Sequence, residues 1–182
     1  MYFKVKDIVS MALIAVAMEV ISFIMLPLVT ALFAVIPGVG VLVVAPFYGL
    51  LIALIMSKVR KTGTATFVSL LVGLPLVLIS PSITLFTLGA GLTTDLACLV
   101  WKGAFQSQKA MTVISGIYIF SMFYFGLLFG SVFLVAGFAP ELLGQEIPLV
   151  IACSLLALGM GLAGGFLGVK LSREFRQAGV AR

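Results

Sequence analysis

The stretch KDIVSMALIAVAMEVISFIML, residues 6–26, decides the class of this chain. Apart from Ser10, Glu19 and Ser22 it is apolar from Ile8 to Leu26, where Pro27 follows. About 20 residues is the length an α-helix needs to cross a bilayer core. Ala12, Ala15, Glu19 and Ser22 step by three, four and three, so they share one stripe of that helix. Small residues on one stripe let another helix approach closely in lipid. An acid on the same stripe faces protein or a cavity, because facing lipid costs too much. Glu19 reads equally as a protonated or hydrogen-bonded packing residue and as a functional acid.

Working outward, the composition agrees. The 182 residues are 63% hydrophobic and 9% charged, with mean hydropathy +1.32. A soluble domain carries about 25% charged residues, so this chain cannot form a water-facing shell. The apolar runs are continuous rather than alternating, which favours helical spans over a barrel. The net charge of +5 sits at span ends and is a topology signal, not a nucleic-acid footprint. Cys98 and Cys153 both fall inside spans and read as packing residues.

The apolar pattern predicts helices over 7–26, 41–57, 64–79, 82–101, 110–136 and 149–171. The connection at 27–40, with Pro37-Gly38-Val39-Gly40, is too apolar for water and is expected to fold back on the bundle. Gly73 and Pro75 are expected to kink helix 3. Pro81 sits where a first helical turn tolerates it. With six spans, all 11 Lys and Arg fall on one side, from Lys4 and Lys6 through Lys58–Lys61, Lys102 and Lys109 to the tail beyond Lys170. The opposite side carries only Glu141 and Glu146. The positive-inside rule then places both termini in the cytoplasm. The expected fold is an all-α integral membrane protein: one domain, 1–182, of six transmembrane helices, with a lid-like apolar loop between helices 1 and 2.

Three further stripes stand out. Thr84, Thr87, Gly91, Thr94, Asp95 and Cys98 share a face of helix 4, and hydroxyls with a carboxyl suit a site as well as a core. Tyr118, Met122, Phe125 and Phe129 line helix 5. Ala157, Gly161, Gly164, Gly165, Gly168 and Ser172 make a small face on helix 6, suited to close packing. There is no histidine, so the commonest general base and metal ligand is missing. No G-x-x-x-x-G-K-[ST] phosphate loop is present. No enzyme activity, cofactor or metal is expected. No internal repeat is detectable, which weakens an ordinary secondary carrier.

Lys6-Asp7-Ile8 leading into Ala12-Leu13-Ile14-Ala15-Val16-Ala17 resembles the first helix of the substrate-binding S components of energy-coupling-factor (ECF) transporters. Pro46 to Lys61, with Tyr48-Gly49-Leu50 and Lys58-Val59-Arg60-Lys61-Thr62-Gly63, resembles their second helix and turn. Gly164-Gly165-Phe166-Leu167-Gly168, then Lys170-Leu171, Phe175 and Ala178-Gly179, resembles the tail of the "Trep-Strep" subgroup. The family often carries alanines four apart on helix 1; here Val16 follows Ala12 and Glu19 follows Ala15.

The resemblance implies a binding subunit for a vitamin-like small molecule in a prokaryotic plasma membrane. Its partner would be a transmembrane coupling subunit with two ATPase subunits. Ala12 and Ala15 would dock that partner. The lid would be Pro37, Gly38 and Gly40, over a pocket drawing on Thr84, Thr87, Tyr124, Phe125 and Phe129, with Glu19 as a possible contact. Asp95 lies about 20 Å below the outer end of helix 4, at 1.5 Å per residue, and is assigned a structural or relay role. The competing reading is an independent small transporter or channel using Glu19 and Asp95 as a proton relay.

Overall fold

The computed structural model describes residues 3–28, 36, 38–77, 81–101, 103–105, 107–132 and 147–177. Among them are six helices and no strand: α1 (Val5–Leu28), α2 (Val39–Val59), α3 (Thr64–Leu76), α4 (Pro81–Val100), α5 (Gln108–Val132) and α6 (Ile147–Gln177). Five are long and apolar enough to cross a membrane; α3, with 13 residues, is shorter. At 1.5 Å per residue α3 reaches only about 20 Å. Pro75 leaves the carbonyl of Leu71 without its helical N–H, and the helix ends at Leu76 rather than at 79.

Other boundaries differ from the sequence expectation in instructive ways. Pro27 does not stop α1, because one residue from the end its ring costs only the bond to the Phe23 carbonyl. α6 runs on to Gln177, through what reads as a basic tail. Val169 and Ser172 are buried there while Lys170 and Arg173 are exposed, so an amphipathic turn continues the helix. Gly40 lies in the first turn of α2, not in a lid loop. Pro37 and most of the expected 27–40 loop lie outside the described residues, as does 133–146 with Glu141 and Glu146.

α2 runs through the middle of the bundle. Its main seam is with α6; α6 packs on α5, α5 on α4, α4 on α3 and α3 on α1, which closes back on α2. The α2–α6 seam exists because α6 has a glycine face. A Cβ on Gly164 would collide with the Pro46 carbonyl of α2, and one on Gly168 with that of Leu50. From the other side, a Cβ on Gly49 would sit 2.6 Å from the carbonyl oxygen of Gly161. These backbones touch, and only glycine permits that. Beneath the seam lies a core of fully buried Ile52, Ile55, Met56, Val68, Ile114, Tyr118, Ile119 and Phe123.

α1 is the outlying helix, packed on α2 and α3. Its buried face is Met11, Ala15 and Met18, and the Ser22 hydroxyl lies 2.7 Å from that of Tyr48. That stripe is rotated by about one residue from the small-residue stripe of Ala12, Ala15, Glu19 and Ser22. Methionine explains the shift, since its flexible side chain fills irregular gaps that alanine leaves empty.

One end of the bundle gathers the described basic residues. There Lys61 donates to Asp7 at 2.7 Å and lies over the Phe3 ring, tying the start of α1 to the α2–α3 turn.

Candidate functional site

The site begins with what α1 leaves uncovered. Between α1 and α3 runs an apolar groove of about 360 Å³. Ala12, Ala15, Val16 and Glu19 form one wall, and Leu71 and Pro75 form the other. Pro75 shapes this wall because it ends α3 early. Glu19 is half-buried in the groove, and its Oε1 is buried with no hydrogen-bond partner among the described residues. A polar oxygen in an apolar cleft is costly until a donor reaches it. The groove is thus a concave face with small residues and one unmet acceptor.

The residues expected to form a pocket lie on α4 and α5. Thr84 and Thr87 are buried in the seam between α4 and α3. Thr84 donates to the Gly73 carbonyl at 2.8 Å, and Thr87 donates to the carbonyls of Ile83 and Thr84 at 2.9 and 3.0 Å. Gly73 admits them, as a Cβ there would sit 2.9 Å from the Thr84 methyl. Both hydroxyl protons are therefore used on backbone.

On α5, Phe125 packs against Gly89 of α4 and stacks on Phe129 with ring centres 6.0 Å apart. Tyr124 stands on the outward side, 43% exposed, its ring beside those of Phe120 and Phe123. The inward position belongs to Phe123, which the sequence reading missed. Gly38 rests on the Phe123 ring, and its left-handed backbone (φ 68) starts α2. The signal for Phe123 was available: Ile119, Phe123 and Leu127 repeat every four residues beside the Tyr118–Met122 stripe, and both stripes are buried. Gly38, Phe123, Phe125 and Phe129 lie toward the end of the bundle opposite the basic residues.

Asp95 is 6% exposed and sits at the start of α3. Its Oδ2 accepts from the backbone N–H of Thr66 at 2.7 Å and from the Thr66 hydroxyl at 2.6 Å. Thr66 lies in the first turn of α3, where helical N–H groups lack partners, so a carboxyl from α4 caps α3 across the bundle. Replacing Asp95 by Ala is expected to cost about 2–3 kcal/mol, because two donors lose a charge-capable acceptor. Asp95→Asn, which keeps one carbonyl oxygen, should cost less. Melting in detergent measures both. Ligand affinity should stay within a few-fold; a hundredfold loss at unchanged melting temperature would instead assign Asp95 to the ligand.

Among the described residues no three His, Cys, Asp or Glu side chains cluster. Cys98 and Cys153 are buried free thiols.

No protein-family model matches the chain, and no curated protein matches it. Among solved structures it is similar to an S component of an ECF transporter, with TM-score 0.68 and 17% sequence identity. The match covers 99% of this chain and 89% of that one. At this identity the likeness establishes the fold: the helices of this chain are arranged as in that S component.

Proposed function

We propose that this protein is the substrate-binding S component of an ECF-type ABC importer for a vitamin-like micronutrient or similar small molecule. It is a multi-pass protein of a prokaryotic plasma membrane. It binds its ligand and does not catalyse a reaction. The shared fold supports this, and so does the resemblance of its first helix, second helix and tail to S components, the tail to the Trep-Strep subgroup.

One observation carries the reading further. The small-residue stripes of α6 and α1 are used differently. The glycine face of α6 closes the bundle against α2 and α5. The α1–α3 groove, with Ala12 and the unmet Glu19 oxygen, stays open. A coupling subunit that inserts a helix there would meet small residues and an acceptor. Glu19 is accordingly assigned to the docking face, beside Ala12, rather than to the ligand. Ala15, buried beneath, sets how closely α1 approaches the bundle.

The basic end faces the cytoplasm, by the positive-inside rule. The ligand enters from the opposite end, where Gly38 seats on Phe123 and Phe125 stacks on Phe129. Thr84 and Thr87 support that end from the α3–α4 seam; Pro37, another expected lid residue, lies outside the described residues. A proton relay through Glu19 and Asp95 is not favoured, since Asp95 is engaged in capping α3.

Reconstitution tests the proposal. Native mass spectrometry of the purified protein should identify a co-purifying small molecule. Liposomes holding the protein alone should bind that molecule without concentrating it. Adding the coupling subunit and its two ATPases should give ATP-driven uptake. Concentrative uptake by the lone protein in a proton gradient would overturn the reading.

A further inference from the structure

The basic end of the bundle holds a second cavity of about 330 Å³, which shares no lining residue with the α1 groove. Three elements build it. Ser57 and Arg60 come from the end of α2, Ser107 and Gln108 from the start of α5, and Ser172 and Arg173 from α6. Two guanidinium groups thus flank one space, and among its described lining residues there is no carboxylate. Arg60 is oriented by its Nε, which donates to the Ser57 carbonyl at 3.2 Å.

The start of α5 also lines the cavity. Ser107 caps it, with its hydroxyl accepting the Ala110 N–H at 3.4 Å and its carbonyl accepting that of Met111 at 3.1 Å. The partial positive charge at the start of this 25-residue helix meets the partial negative charge of the last turns of α2 and α6 at the same cavity, so the positive field there comes from the two guanidinium groups, while the first turn of α5 offers N–H donors.

A third, independent feature is Ser172. It is 9% exposed and lines the cavity, yet its hydroxyl has no hydrogen-bond partner among the described residues. Its proton is not spent on a neighbouring group, so an acceptor entering the cavity can take it. Two arginines, a helix start and an idle hydroxyl donor together match the oxygen-rich, planar-fork recognition of phosphate.

We propose that this cavity binds a phosphate group, held by Arg60, Arg173, Ser172 and the start of α5. Phosphate of this kind reaches the basic end of a membrane protein on an anionic lipid headgroup or as a soluble ion, and the experiment separates these.

The intact protein in maltoside micelles is titrated with dioleoylphosphatidylglycerol, with dioleoylglycerol as the phosphate-free lipid, and with inorganic phosphate against chloride at equal ionic strength. Saturable binding of a phosphate-bearing probe, absent for dioleoylglycerol and chloride, is expected. The Arg60→Gln/Arg173→Gln double variant should weaken it at least about tenfold, and Ser172→Ala should weaken it several-fold. Lys4→Gln/Lys6→Gln, which removes the same charge at the same end but outside the cavity, should leave it unchanged. Binding of phosphatidylglycerol alone assigns a lipid headgroup; binding of both phosphates assigns the soluble ion. Saturable binding of neither, or equal weakening by the two lysine changes, overturns the proposal. Should the arginine variant fail to fold, Ser172→Ala against the lysine variant decides alone, because it removes one hydroxyl and no charge.

Discussion

Tryptophan at position 12 should abolish ATP-driven uptake, by at least about tenfold, while ligand affinity of the isolated protein stays within about twofold. Ala12 stands at the rim of the α1–α3 groove and is only partly buried, so added bulk enters the groove and not the core. Changes away from the core usually alter stability by no more than about 0.5 kcal/mol. A helix that must approach small residues closely, by contrast, is held off by an indole. Position 15 supplies the contrast. Ala15 is 3% exposed, so Ala15→Trp overpacks the seam with α2 and α3 at a cost of about 1–3 kcal/mol or more. It should lower the melting temperature and reduce binding as well as uptake. Uptake assays in liposomes beside equilibrium binding in detergent separate these outcomes. Normal uptake by Ala12→Trp would remove the groove from the docking interface.

The second large effect is expected from one methyl group on α6. Gly164→Ala places a Cβ against the Pro46 carbonyl. Neither partner is a side chain that can rotate away, so α2 and α6 must separate along their whole seam. Overpacking commonly costs about 1–3 kcal/mol, and a contact between two backbones belongs at the upper limit. At about 2–4 °C per kcal/mol for a chain of this size, the melting temperature should fall by about 6–12 °C. Gly159→Ala is the matched control on the same helix. Its Cβ would meet nothing within 4 Å, so the better helix propensity of alanine should leave stability unchanged or raise it by up to about 1 kcal/mol. Equal melting of the two variants would mean that the glycine face is not the seam it forms here.

How much of this was legible beforehand differs from feature to feature. The glycine face of α6 was readable as a packing surface, because a small-residue stripe has few other uses in lipid. Phe123 was not singled out, since phenylalanines recur all around α5 and only contact with Gly38 picks out the inward one. The hydroxyls of Thr84 and Thr87 looked available for a ligand. Only the approach of α3, made possible by Gly73, turned Thr84 toward a backbone carbonyl. Asp95 was visible as an acid within a span, but its partner Thr66 is 29 residues away and no periodicity links them.

The chain's own residues determined that it is a bundle of apolar helices, that its basic residues gather at one end, and where small faces lie. The physical reason is that the cost of exposing charge and backbone to hydrocarbon acts on each span separately, so it can be read span by span. The tertiary structure alone decided which small face is consumed and which stays open, and that α1 turns Met11, Ala15 and Met18 inward, leaving Ala12 and Glu19 at a groove. In water an apolar stripe announces the core. In lipid the surroundings are as apolar as the neighbouring helix, so inward and outward faces carry nearly the same residues, and only the fit of one surface to another separates them.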